Sequence, residues 1–471
     1  MAGKFYITTT LPYVNAEPHI GFALEIIQAD VIARWQRLMG KEVVFNFGTD
    51  EHGLKIYRKS LELGKDPQVY CDEYAAKFDD LKRALNLSYT NFIRTTDPHH
   101  IKAAQEFWQR CLKKGDIYKK NYKIKYCVGC ELEKTESELV DGRCPIHPSL
   151  DLEVIEEENY FFRFSKYQQP LLDFYNKHPD FVIPEGKYNE IKTFVKTGLE
   201  DFSVSRLKKK MPWGIDVPDN PEHVMYVWFD ALINYISTLG WPENKKGFSG
   251  FWPGVQVAGK DNLRQQSAMW QAMLLSAGLP NSKQVFIHGF LTVDGQKISK
   301  SLGNAINPIE LAEKYKADTL RFYLLSQIHP WEDSDFSVGK LVDFYNSSLA
   351  NGVGNVVARV AKLCQNSGFE FPKEKLSFNK LVGDKISEFK FHEATALIAL
   401  ELNVCDQYVD KKQPWKLKGE ELRSVLTELV SKVRYIAYNL QPFLPETAEE
   451  ILEQFKGPKI QARAALFPRI K

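Results

Sequence analysis

At 471 residues the chain is longer than one hydrophobic core normally supports, so roughly two to four domains are expected. Hydrophobic residues make up 44% and charged residues 26%, which excludes disordered and fibrous classes; no apolar run approaches the roughly 20 residues that span a bilayer, so a soluble protein with no membrane partner is predicted. Lys and Arg number 62 against 60 Asp and Glu, so any polyanionic partner must meet local basic patches rather than a global field.

The chain enters a β-branched strand at Phe5–Thr10 with no targeting segment ahead of it, which predicts a cytoplasmic location. After a loop with Pro12 and Pro18, a helical period runs from His19 to Met39 and stops at Gly40; strand, loop and helix open an α/β unit. A second strand, Val43–Phe47, ends in Gly48-Thr-Asp-Glu-His-Gly53. Ligands in open parallel sheets lie beyond the C-terminal strand ends, so both loops are predicted on the ligand edge. Between Ile117 and Pro221 the alternation gives way to Lys-rich and Glu-rich stretches, a Cys/His cluster and the strand-like Asn159–Phe164, which predicts an inserted domain. Core character returns with Val224–Phe229, Val255–Ala258 and Val285–His288. From Val338 the spacing is helical, around Asn355–Cys364, Ala394–Val404 and Leu422–Tyr438, and predicts a closing bundle.

In Pro18-His-Ile-Gly-Phe22 the proline suits a first helical turn, whose free N–H groups attract phosphate, and His19 is placed to donate to a phosphate oxygen. Gly21 costs a helix about 1 kcal/mol relative to Ala, which makes sense if a nucleotide approaches closely. A histidine near a helix start with a packing glycine is the plainer alternative. Asp294-Gly295 signals a hairpin leading into Lys297-Ile-Ser-Lys-Ser301-Leu-Gly-Asn304. Two lysines on such a loop can close over a triphosphate; a solvated loop is the alternative, weakened by the first motif.

Cys127-x2-Cys130-x13-Cys144-x2-His147 supplies two close ligand pairs, the arrangement of a tetrahedral zinc site that four protein donors make structural. Cys71, Cys111, Cys364 and Cys405 read as core fillers. Asp50, at a strand end, either holds a substrate ammonium or caps the next helix. Tyr13, Trp228 and Tyr235 either wall a pocket suited to a thioether or fill the core. Asn355 and Arg359 share a helix face and Trp415 follows Pro414; such residues read and stack bases, or are structural.

Together the two signature loops, Thr9-Thr-Leu-Pro-Tyr-Val-Asn15, Gly48–Gly53, the Cys/His knuckle, Glu158-Asn-Tyr-Phe-Phe-Arg163, Tyr226-Val-Trp-Phe-Asp230, Gly259-Lys-Asp261 and Asn355-Val-Val-Ala-Arg359 resemble the methionyl branch of the class I aminoacyl-tRNA synthetases. The resemblance spans essentially the whole chain. It implies an α/β fold: a Rossmann-like parallel-sheet catalytic core in two halves, 1–116 and 222–337, a connective insertion with the zinc knuckle at 117–221, and a C-terminal α-helical anticodon-binding bundle at 338–471. The insertion is too short for the editing domain of the isoleucine, valine and leucine enzymes.

The implied activity is that of a methionine–tRNA ligase. The methionine carboxylate attacks the α-phosphate of Mg-ATP to give methionyl adenylate, which then acylates the terminal adenosine of tRNA-Met, with the initiator and the elongator tRNA both expected as partners. By this resemblance His19 and Lys300 stabilise the transition state and Lys297 assists, while Gly21, Asp261 and Ser299 complete the ATP site. Leu11, Tyr13, Asp50, Trp228, Tyr235, Asn262 and Gln266 form the methionine site, with Asp50 on the ammonium, and Arg206 contacts substrate. Asn355, Arg359 and Trp415 read the anticodon. ATP, Mg2+ and structural Zn2+ are the implied cofactors, and a monomer is expected because no dimerisation domain follows the bundle. The chain departs from the family at Phe22, where the signature has a second histidine, and at Asn262 and Gln266, where an apolar residue and a histidine are commoner. A nucleotidyltransferase shares a His-x-Gly-His loop, but the knuckle and bundle argue against it.

Overall fold

The computed structural model describes residues 3–134, 138–298 and 304–470. Six parallel strands form the central sheet: Lys4–Thr9 (β1), Glu42–Thr49 (β2), Asn91–Arg94 (β3), Val182–Ile183, Val255–Gly259 and Gln284–His288. In space β3, β2 and β1 are followed by Val255–Gly259, Gln284–His288 and Val182–Ile183. β1 is buried from Phe5 onward because both faces are covered, which is why it reads as a continuous run rather than an alternating one. The winding direction reverses between β1 and Val255–Gly259, and a crevice opens there beyond the carboxyl ends.

The helix Ile20–Leu38 (α1) has thirteen of its nineteen residues buried, Asp30 included, because the sheet covers one face and the C-terminal helices cover another. Phe286 of the sheet stacks on Phe389 with ring centroids 4.3 Å apart and planes at 6°, and one apolar cluster runs unbroken from Ile7 to Leu440. The predicted helical close is present as Asn355–Ser367, Phe391–Lys412, Gly419–Leu440 and Pro445–Gln454.

Three readings need correction. The expected insertion at 117–221 contains a separate antiparallel sheet built on Ile117–Cys127 and Glu153–Phe162, but it also lends Val182–Ile183 to the central sheet. Tyr175, Phe181 and Val182 share an apolar cluster with Trp270 and Val285, so that part of the segment belongs to the core; a two-residue strand leaves no periodic signal. Val224–Phe229 is not a core strand: Asn220–Met225 pairs antiparallel with Ser205–Leu207, and Val227–Ala231 is helical. A short apolar run cannot separate those outcomes by periodicity. Pro18 lies outside α1, because His19 is its N-cap.

Candidate active site

At the switch point a cleft of about 880 Å³ is lined by Leu11, Tyr13, His19, Asp50, Trp228, Tyr235, Asp261, Asn262 and Gln266, all singled out from the sequence. Such a volume suits a small-molecule site. A second cleft, about 890 Å³, is walled by Glu446, Glu449, Glu450 and Glu453 against two arginines, the wrong sign for phosphate.

Asp50 follows β2 and is fixed beside Tyr13: its N–H donates to the Pro12 carbonyl at 3.0 Å and its carbonyl accepts from Val14 N–H at 3.3 Å. The residue is 4% exposed, and its Oδ1 has no hydrogen-bond partner among the described residues. Burial, then the charges of Asp230, Glu131 and Glu51, push its pKa well above the usual carboxylate range. A buried carboxylate with a bare oxygen is costly unless a cation meets it. The alternative role falls away, since the helix Leu54–Glu62 (α2) starts at Gly53 and Asp50 does not cap it.

Tyr13 Oη and Trp228 Nε1 are also buried without a partner among the described residues, so these aromatics line the cleft rather than fill a sealed core. Tyr235 is held: its hydroxyl accepts from Gln266 Nε2 at 2.6 Å, and Gln266 Oε1 accepts from Gln256 Nε2 at 3.0 Å. Gln266 sits in a π-helical turn, Gln265–Met269, a distortion common at functional sites. Sequence reading missed Gln265, which lines the cleft with Oε1 unpartnered among the described residues; two adjacent glutamines in an apolar helix were the available signal.

Behind Asp50 lies a second buried carboxylate, Asp230, also missed. His52 Nδ1 lies 2.6 Å from its Oδ2 and His100 Nε2 lies 2.8 Å from its Oδ1. Burial opposes ionisation of Asp230, but the two histidines outweigh it and lower its pKa.

His19 Nδ1 accepts from Gly21 N–H at 3.1 Å, so the neutral ring carries its proton on Nε2 as a donor. Burial lowers its pKa to about 4, which keeps the ring neutral at physiological pH. A Cβ at residue 21 would stand 3.0 Å from His19 Cε1, so any larger residue there crowds the capping ring. Phe22 supports that ring, with centroids 4.3 Å apart, and meets Phe78 edge-on at 5.6 Å. Ile20 N–H donates to the Ile306 carbonyl at 3.0 Å, which ties the start of α1 to the chain following the lysine loop.

The predicted hairpin is present: Leu291–Val293 pairs with Gln296–Lys297 across Asp294 (φ 50) and Gly295 (φ 74). Ser299, Lys300 and the side chain of Lys297 lie outside the described residues. Arg206 does not line the cleft; it is buried between the rings of Tyr126 (5.3 Å) and Tyr226 (4.3 Å) and donates to Ser203 Oγ at 2.7 Å. Those two rings belong to a small cluster against which Tyr13 and Trp228 pack. In the bundle Asn355 is exposed on the first turn of its helix, Trp415 is 56% exposed, and Arg359 is gripped by Asp406 and Asp410, each at 2.6 Å. The two carboxylates fix the guanidinium near the end of the helix that leads to Trp415.

Donor atoms of Cys127, Cys130, Cys144 and His147 all lie within 4.8 Å of one another. Cys130 Sγ is 3.5 Å from Cys144 Sγ and 3.2 Å from His147 Nδ1, and Cys127 Sγ is 3.8 Å from that nitrogen. A tetrahedral ion with bonds of about 2.0–2.3 Å has edges near these lengths, so the residues fit a metal closed to substrate. Burial opposes a Cys144 thiolate, but N–H groups of His147 and Ile146 outweigh it and lower the thiol pKa. Gly129 makes room, since a Cβ there would stand 2.6 Å from His147 Cγ.

Comparison with known proteins places the chain in a family. The family described as tRNA synthetases class I (M) matches residues 5–153 and 133–361. A methionine–tRNA ligase of Nostoc sp. is 41% identical over 96% of this chain and 89% of its own length, and one of Thermotoga maritima is 43% identical over 96% and 75%. The structure of Mycobacterium tuberculosis methionyl-tRNA synthetase in complex with methionyl-adenylate is 35% identical, with a TM-score of 0.93 over 99% of this chain and 100% of that one.

Proposed function

The chain belongs to the class I methionine–tRNA ligases, and from that premise we propose how its own residues carry out the reaction. The enzyme activates L-methionine with ATP and transfers the methionyl group to tRNA. The observation that carries the residue assignment is the unpartnered Oδ1 of buried Asp50 beside the aromatic wall of the cleft.

Asp50 takes the methionine ammonium, and its ionised form is favoured once that cation is in place. Leu11, Tyr13, Trp228 and Tyr235 surround the thioether, with Gln266 holding the Tyr235 hydroxyl and Asn262 at the rim. A methionine carboxylate oxygen then attacks the α-phosphorus of ATP; the bond to the β-phosphate oxygen breaks, and pyrophosphate leaves. His19 donates from Nε2 to a phosphate oxygen, Lys297 and Lys300 neutralise charge on the phosphates, and Asp261, with Gly21 and Ser299, completes the nucleotide site. Mg2+ enters as part of the substrate Mg-ATP.

In the second step a ribose hydroxyl of the terminal adenosine of tRNA attacks the methionyl carbonyl, and AMP leaves. Asn355, Arg359 and Trp415 recognise the anticodon of initiator and elongator tRNA-Met. The segments 1–116 and 222–337 make up the catalytic core together with the stretch around Tyr175–Ile183 that pairs into its sheet, the rest of 117–221 is the connective unit, and 338–471 is the anticodon-binding unit. Zn2+ in the Cys3His knuckle is structural. The enzyme acts as a monomer in the cytoplasm; no helix among the described residues is long and apolar enough to cross a membrane. Charging assays test the assignment. A transcript with a CAU anticodon accepts methionine, and a changed anticodon or Trp415→Ala lowers kcat/KM for tRNA while leaving amino-acid activation intact; equal loss in both steps contradicts the anticodon role.

A further inference from the structure

Glu131 follows the knuckle ligand Cys130 directly, yet it is 1% exposed and its carboxylate reaches the start of α2. Oε1 accepts from Lys55 N–H at 2.8 Å, and Oε2 accepts from the hydroxyl of Tyr126. Lys55 is the second residue of α2, whose own N-cap, Gly53, has φ 118 and supplies no side chain. Glu131 therefore does from the knuckle what a Ser, Asp or Asn at the N-cap normally does from within the chain: it satisfies a free amide at the helix start.

The approach is close. A Cβ on Gly53 would stand 3.4 Å from Glu131 Oε1 and 3.6 Å from Tyr13 Oη. Between β2 and α2 lie only Asp50, Glu51, His52 and Gly53, so the capped end of α2 sets where Asp50 sits. Lys55 Nζ also reaches the Gly129 carbonyl at 3.5 Å, a second tie from α2 to the knuckle. The backbone of Glu131 is left-handed, with φ 50, a conformation a non-glycine residue holds only where its surroundings demand it.

We propose that Glu131 is a positioning residue through which the Cys3His knuckle sets the Asp50 loop, so that occupancy of the metal site controls methionine affinity. The proposal rests on the assignment of Asp50 to the substrate ammonium. The knuckle then does more than fold its own segment: metal bound to Cys130 fixes the backbone at Glu131, Glu131 caps α2, and α2 holds the loop that presents Asp50 Oδ1.

The test is methionine binding without ATP, measured by calorimetry on the full chain, metal-loaded and after chelation. Wild-type protein loses affinity about tenfold or more on metal removal, Glu131→Ala loses a similar factor with the metal still bound, and chelating Glu131→Ala adds little, since both changes break one link. Glu131→Gln keeps an acceptor for Lys55 N–H and stays within about threefold of wild type. The KM for ATP is unchanged throughout. If Glu131→Ala does not fold, Tyr126→Phe replaces it and weakens methionine by about threefold, because the second oxygen of Glu131 loses its donor. Unchanged methionine affinity in Glu131→Ala, or effects of mutation and chelation that multiply, overturn the proposal while Asp50→Asn still abolishes binding. Unchanged affinity in Asp50→Asn overturns the ammonium assignment and this proposal together.

Discussion

Arg321 Nη2 lies 2.7 Å from Asp30 Oδ2, and both side chains are wholly buried. Asp30 is on α1, which His19 caps, and Arg321 is on the helix Ala317–Ser326, from which it also donates to the carbonyls of Phe443 (3.2 Å) and Pro442 (3.0 Å). One ion pair thus locks the helix bearing the first signature to the turn that starts the last helix of the bundle.

Burial alone would raise the Asp30 pKa, but Arg321 and Arg34 hold it at about 2. The folded value is depressed, so the stabilisation is fully present above pH ~4, where the unfolded carboxylate is ionised, and is lost as pH falls through about 2. A shift of this size corresponds to about 2 kcal/mol, and Asp30→Asn, which leaves Arg321 uncompensated, costs about 3–5 kcal/mol. Urea unfolding at pH 7 and pH 3 measures both; equal stability of variant and wild type at pH 7 would show the pair to be idle.

Asp50 behaves in the opposite sense. Its folded pKa is raised, chiefly by burial, so without substrate its ionised form destabilises the fold at neutral and alkaline pH, and the penalty fades as pH falls. Asp50→Asn therefore raises Tm at pH 8, by roughly 1–2 kcal/mol of stability, while methionine binding falls at least about 100-fold. Calorimetry with and without methionine checks the pair of effects. A variant that loses both stability and binding would point to a packing role instead.

The low His19 pKa, about 4, follows from burial, and it predicts that kcat for activation is flat between pH 6 and 8. His19→Asn lowers kcat by about 100-fold to 1,000-fold with little change in KM for methionine, the behaviour of a donor felt mainly in the transition state. An acid limb near pH 6.5 would mean that the ring titrates in water.

Gln266→Ala strips the Tyr235 hydroxyl and Gln256 Nε2 of their partner inside the wall. The cost is about 1–3 kcal/mol, read as a raised KM for methionine, with norleucine and methionine discriminated less sharply. Unchanged kinetics would assign the glutamine chain to packing alone.

Much of this was legible in the sequence because the signals were local. Phe5–Thr9 and Val43–Phe47 are β-branched and aromatic runs of strand length, and one Cys/Cys and one Cys/His pair announce a metal. His19 and Asp50 could be placed on the ligand edge from strand ends alone. The misses were non-local. Val182–Ile183 is too short to carry a period, and Val227–Ala231 reads like the strand before it. The Asp230 pairing with His52 and His100 spans 178 and 130 residues, and the Glu131 bond to Lys55 spans 76. Spacing along a chain does not encode contacts of that kind; only the fold brings them together.

The most direct test is methionine-dependent exchange of pyrophosphate into ATP by the purified, zinc-loaded protein. Exchange that requires methionine, is lost in Asp50→Asn and falls at least about 100-fold in His19→Asn is the result expected of an adenylate-forming site at this cleft. No exchange with methionine, or undiminished exchange in Asp50→Asn, would contradict it.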